Sequence, residues 1–179
     1  LERDEVVRAR PHNGDVSAAL GDLATARGAF ETAHACYAEA LEVGADPYEV
    51  ALFAATAAWF NQDPHGARDY LRLWLEHAPE HTEGSDVEGT AQRLRARHNL
   101  ASIEVGQRNL TDAIAMFDEL IDDARNLYAT HGAAPYALVA VDALINRGQA
   151  RWYLGDKSGS RSDHDDACEL ARAFPPDDR

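Results

Sequence analysis

The residue types able to do chemistry in this chain are eight histidines, two cysteines and a large excess of carboxylates. Their spacing decides what they can do. His77 and His81 stand four apart, the separation that lets a helix point two imidazoles at one metal. Pro79 lies between them and breaks the helix that this geometry requires. His164, Asp165, Asp166 and Cys168 form a dense cluster. Consecutive residues point to different sides of a helix, so a solvated face is the simpler reading. His98, with Arg95 and Glu104 nearby in sequence, is the one place that offers an acid–base pair. Gly14, Gly21 and Gly28 recur at helical intervals and match neither a dinucleotide-binding nor a phosphate-binding loop. No nucleophile elbow is present. Cys36 and Cys168 have no metal-type spacing and are expected to be free thiols in a reducing cytoplasm. The expectation is no catalytic residue, no metal and no cofactor, and therefore not an enzyme.

Composition sets the frame for any element that positions these residues. Of 179 residues, 34 are alanine, while Val and Ile are sparse, which favours helix over sheet. The net charge of −14 repels nucleic-acid phosphates and anionic membrane surfaces. No apolar run approaches the ~20 residues of a membrane span. Lys157 is the only lysine; the other cations are arginines. The chain starts at Leu1, without a methionine or a signal-like apolar segment, as expected of a piece of a longer polypeptide.

Apolar spacing predicts eight main helices after a short charged fragment at 1–10 that Pro11 and Asn13-Gly14 end. The clearest pair spans 15–43. Val16, Leu20 and Leu23 mark its first helix, Gly28 its turn, and Phe30, Ala33, Tyr37, Ala40 and Leu41 the stripe of its second. Gly44 closes it. Asp46-Pro47 and Asp63-Pro64 open the next two helices, the latter carrying Leu71 and Trp74. A polar linker at 81–84 precedes a capping box at 85–88. Long helices then run to about Gly106, from about Leu110 to His131, and from Pro135 to Leu154. The last helix turns in at Gly155-Asp156 and stops at Pro175-Pro176.

The pairs repeat. Ala33, Ala67, Ala113 and Ser160 occupy one position; Tyr37, Leu71, Phe117 and His164 follow four residues on. Leu20-Gly21, Ala54-Ala55, Leu100-Ala101 and Arg147-Gly148 precede that position by thirteen residues. Steps of 34, 46 and 47 residues separate the units. This pattern resembles the tetratricopeptide repeat, in which small residues let two helices approach and larger ones fill the gap to the next unit. The motif's tryptophan is missing in every unit, and Glu104 and Arg151 replace its later aromatic.

The resemblance implies an all-α fold: a right-handed superhelix of antiparallel helix pairs, an α-solenoid in a single domain, with repeats at about 15–47, 48–80, 86–132 and 135–175. It also implies a concave groove, lined by the first helices, that takes a peptide or helix of a partner. The groove positions carried over are Asp15, Ala18, Asp22 and Thr25, then Glu49, Leu52, Thr56, Trp59 and Phe60. Arg95, His98, Asn99, Ser102 and Val105 follow, then Asp142, Ile145, Asn146, Gln149, Trp152 and Tyr153. Trp59-Phe60 and Trp152-Tyr153 are the expected anchors. Ala18 offers no cation and Asp22 would repel a terminal carboxylate, so a carboxylate clamp is not expected. The expected function is a cytoplasmic protein-interaction scaffold with no nucleic-acid or membrane partner. Exposed end repeats leave room for homo-oligomers. The alternative is a sensor or regulatory segment of a larger bacterial signalling or transcription regulator.

Overall fold

The computed structural model describes residues 13–79 and 86–173, with the side chains of 13–16 and of Leu23 excepted. The fragment at 1–10, the linker at 81–84, Ser85 and the Pro175-Pro176 stop lie outside the described residues, as do the side chains of Asp15, Val16 and Leu23. The described residues form eight α-helices and no strand. They are α1 (Asn13–Ala26), α2 (Phe30–Glu42), α3 (Pro47–Phe60), α4 (Pro64–His77), α5 (Val87–Gly106), α6 (Leu110–His131), α7 (Ala134–Tyr153) and α8 (Lys157–Arg172).

These helices divide into two compact units that meet in sequence at Ala78 and Pro79. Each unit holds two antiparallel pairs, α1/α2 with α3/α4 and α5/α6 with α7/α8. In both units the second helix of the leading pair packs on the first helix of the following pair. In the second unit α5 also lies beside α7.

Aspartates start four of the helices. The side chains of Asp46, Asp63, Asp86 and Asp156 accept backbone N–H bonds from Tyr48, Gly66, Gly89 and Gly159 at 2.8 to 3.0 Å, which satisfies amides that have no partner inside the helix. The cap of α5 is thus Asp86. Glu88, expected to complete a capping box there, instead pairs with Arg95 at 2.8 Å.

The turn within each pair has one geometry. Gly28, Gln62, Arg108 and Gly155 stand at equivalent repeat positions and all adopt a left-handed backbone, with φ of 71°, 61°, 67° and 89°. Two of the four are not glycine, although a Cβ disfavours this region.

Each unit has its own apolar core. In the first, Ala33, Tyr37, Ala40, Ala54 and Ala57 are buried together. In the second, Phe117, Leu120, Ile121, Tyr136 and Leu144 form the bulk, with alanines where helices cross. Gly21 shows why the small residues matter. A Cβ there would meet the Tyr37 ring at 2.7 Å; at the equivalent Gly148 it would meet the His164 ring at 2.8 Å. Trp74 is also core. Its ring stacks on Tyr48 and its Nε1 donates to the Tyr48 carbonyl at 3.0 Å.

Candidate partner-binding faces

In the first unit the expected site residues lie along α3. Leu52 is half-buried, Thr56 is exposed and donates its hydroxyl to the Leu52 carbonyl at 3.0 Å, and Trp59 is 50% exposed. Phe60 is exposed too, but its ring stacks on Phe30 of α2 with centroids 4.6 Å apart. Asp22 and Thr25 both serve Tyr37. Its hydroxyl donates to Asp22 Oδ1 at 2.6 Å and lies 3.3 Å from Thr25 Oγ1. Burial first, and then the hydrogen bond to the Asp22 carboxylate, push the Tyr37 phenol from 10.0 up to about 12.

Sequence reasoning missed Phe53. It is exposed, stacks near Tyr37 with centroids 6.2 Å apart, and with Ala18, Asp22 and Glu49 lines a depression of about 150 Å³ between α1 and α3. Stepping four residues from Glu49 along α3 would have found it.

In the second unit the first helices α5 and α7 share a polar cluster. Asn146 Nδ2 of α7 lies 2.9 Å from His98 Nε2 and donates to Ser102 Oγ at 3.1 Å, both on α5. Ser102 Oγ donates in turn to the His98 carbonyl at 2.9 Å. With the amide as donor, His98 Nε2 accepts, and Nδ1 carries the proton toward Asn99 Oδ1 at 3.4 Å. Asn99 and Gln149 are exposed on this side. Gln149 donates to the Tyr153 hydroxyl at 3.1 Å.

The two aromatics that end α7 are held differently. The Arg108 guanidinium sits over the Tyr153 ring, 4.5 Å from its centroid, while the Lys157 ammonium lies 5.5 Å from that of Trp152, which is 55% exposed. Trp59 and Trp152 occupy equivalent repeat positions, as do Phe60 and Tyr153. In both units, then, a ring or guanidinium from the unit's leading pair engages the second aromatic, and the tryptophan before it stays half-exposed.

Arg95 is paired with Glu88, and the buried Glu104 accepts from Asn109 Nδ2 at 2.6 Å, so neither turns to His98. His164 Nδ1 bonds to the Ser160 carbonyl at 2.7 Å. Among the described residues no group of three His, Cys, Asp or Glu could hold a metal ion, and both cysteines are free. No helix of the described residues is long and apolar enough to cross a membrane.

A second polar network was not foreseen. Arg147 of α7 binds both oxygens of Asp163 of α8, at 3.2 and 2.6 Å, and Asp118 of α6 at 2.6 Å. Arg151 adds a bond to Asp163 at 2.8 Å. Burial opposes the Arg147 charge, but the bonds to Asp163 and Asp118 outweigh it and raise its pKa above the ordinary arginine value. The signal was present in the sequence. An arginine stands where Leu20, Ala54 and Leu100 stand in the other repeats, and a charge in a core position calls for a buried counter-charge.

No family model matches the chain, and no curated protein matches it in sequence. Solved structures do match. A tetratricopeptide-repeat protein, YrrB, described as having an unusual peptide-binding site, superposes with a TM-score of 0.63 at 16% identity. The match covers 86% of this chain and 66% of YrrB, so this chain spans just under two thirds of that protein's length. MamA aligns over 86% of this chain and 95% of its own at 16% identity, with a TM-score of 0.45. The helix pairs have the tetratricopeptide-repeat fold that the sequence pattern resembles.

Proposed function

We propose that this chain, built on the tetratricopeptide-repeat fold, is a non-enzymatic protein-interaction scaffold. It holds a peptide or helical segment of a partner protein against the faces of its first helices. The observation that carries this reading is the recurrence of a half-exposed tryptophan, Trp59 and Trp152, at the same repeat position in both units. Large exposed aromatics cost solubility and are the side chains that most often anchor a protein partner. In the second unit, Asn99, Asn146 and Gln149 supply amide donors and acceptors suited to a peptide backbone. The peptide-binding site described for YrrB, a protein of the same fold, supports the reading.

The experiment is a pull-down from the native host with the parent chain and with Trp59→Ala and Trp152→Ala, each checked for folding by its thermal melt. Loss of partner capture by roughly tenfold or more in a folded variant is expected. Full retention of every partner by both folded variants would refute the proposal.

A further inference from the structure

The end of the second unit formed by α7 and α8 has a counterpart within the same unit, one repeat earlier. The 47-residue step from Ala113 to Ser160 maps Ile145, Trp152, Lys157, Arg161 and His164 onto His98, Val105, Leu110, Ile114 and Phe117. At the earlier place a helix covers them. Val105, Leu110 and Phe117 are buried, Ile114 packs on the core, and His98 bonds to Asn146 of α7. At the later place the residues line an open depression of about 850 Å³, in which Ile145 and Trp152 remain exposed.

The chemistry of the surface also changes. The floor stays apolar and aromatic, but the positions held by Leu110 and Ile114 become Lys157 and Arg161. Lys157 is the only lysine of a chain with net charge −14, and it lies against the Trp152 ring. Asp165, four residues beyond Arg161 on α8, lines the edge together with Lys157 and Arg161.

We propose that the α7–α8 depression receives an amphipathic helix of a partner protein, lying antiparallel to α8 as α7 lies against α6. Its apolar stripe rests on Ile145 and Trp152, and acidic side chains on it face Lys157 and Arg161. Apolar anchoring gives the affinity and the cationic rim selects an acidic helix over a basic one. The inference rests on the reading of the chain as an interaction scaffold and names the partner's chemistry for one face of it.

The test uses the full 179-residue chain and two synthetic peptides as long as α7. Both copy the spacing of Tyr136, Val139, Ala140, Ala143 and Leu144. One carries glutamates on the flank that passes Lys157 and Arg161, and its twin carries lysines there. Fluorescence anisotropy should show the glutamate peptide binding at least about tenfold more tightly, with the gap closing at high salt. The double variant Lys157→Glu/Arg161→Glu, which alters two exposed side chains at the start of α8 and leaves the core untouched, should reverse the preference. Equal binding of the two peptides, binding of neither, or an unchanged preference in the double variant would overturn the proposal. So would self-association, seen by sedimentation, that the double variant abolishes, since the occupant would then be a second copy. Asn99→Ala and Asn146→Ala change the α5–α7 face and should leave peptide binding unaltered. Loss of partner capture in those variants with peptide binding intact therefore separates the two readings.

Discussion

Arg147 holds Asp163 by both carboxylate oxygens at a place where the other repeats are apolar or small. The arginine replaces Leu20, Ala54 and Leu100; the aspartate stands where Cys36, Tyr70 and Met116 stand. Asp163 is only 1% exposed, so its charge is supported by Arg147 and Arg151 and hardly at all by water. Removing one member of a buried pair leaves the other unpaired, at a cost of about 3–5 kcal/mol. Asp163→Asn should lower the stability of the second unit by that order in urea unfolding. The double change Arg147→Leu/Asp163→Met, which copies the preceding repeat, should recover most of the loss. An unchanged unfolding midpoint for Asp163→Asn would contradict the network.

Tyr37 should make the first unit sensitive to alkaline pH. Its phenol is pushed up to about 12 in the folded chain from the ordinary 10.0, so between these values the folded state holds a proton that the unfolded state has released. The contribution is therefore full below pH 10 and is lost as pH rises toward 12, amounting to about 2–3 kcal/mol. Thermal melts across this range should show Tyr37→Phe losing less stability with pH than the parent chain. A parallel decline in the two would rule out this assignment.

The shared left-handed turn makes a prediction of opposite signs. Gln62→Gly should stabilise the first unit by about 0.5–1 kcal/mol, because glycine enters the φ of 61° without steric cost. Gly155→Ala should destabilise the second by about 1–2 kcal/mol for the same reason. Arg108→Gly should gain less than Gln62→Gly, since it also removes the guanidinium from the Tyr153 ring. Denaturant midpoints of the three variants would check the order.

Gly148→Ala should cost about 1–3 kcal/mol, because its Cβ would press into the His164 ring, whose Nδ1 is tied to the Ser160 carbonyl. Adding His164→Ala should relieve much of this. If the double variant is no more stable than Gly148→Ala alone, the clash is not the cause.

The helix pairs were legible in the sequence because periodicity, Asp-Pro starts and small residues at crossing points all act locally. Tyr37 over Gly21 follows directly from the repeat pattern. The faces were less legible, since a family alignment fixes the position along a helix more firmly than the direction of a ring. Phe60, an expected anchor beside Trp59, also stacks on Phe30, a partner that only the packing of α2 on α3 supplies. Phe53, beside Leu52, is hidden for the same reason: only the packing of α2 on α3 brings its ring to Tyr37. Asp163 was hidden among neighbouring acidic residues, where nothing local marks which carboxylate turns inward. Only Arg147, sixteen residues earlier on the neighbouring helix, identifies it.

The common turn geometry bears on how these repeats vary in length. Measured from Gln62, Arg108 and Gly155, the turns keep the same register with the helices that meet there. The difference between short and long repeats lies at the opposite ends. α5 has 20 residues against 14 in α3, and α6 has 22 against 14 in α4. At 1.5 Å per residue this extends the second unit's leading pair by about 9 to 12 Å on that side. The repeat thus has a pinned end and a free end. Insertions and deletions of whole helical turns can accumulate at the free end without disturbing the pairing, while a single residue added at the pinned end would rotate every small residue out of its crossing.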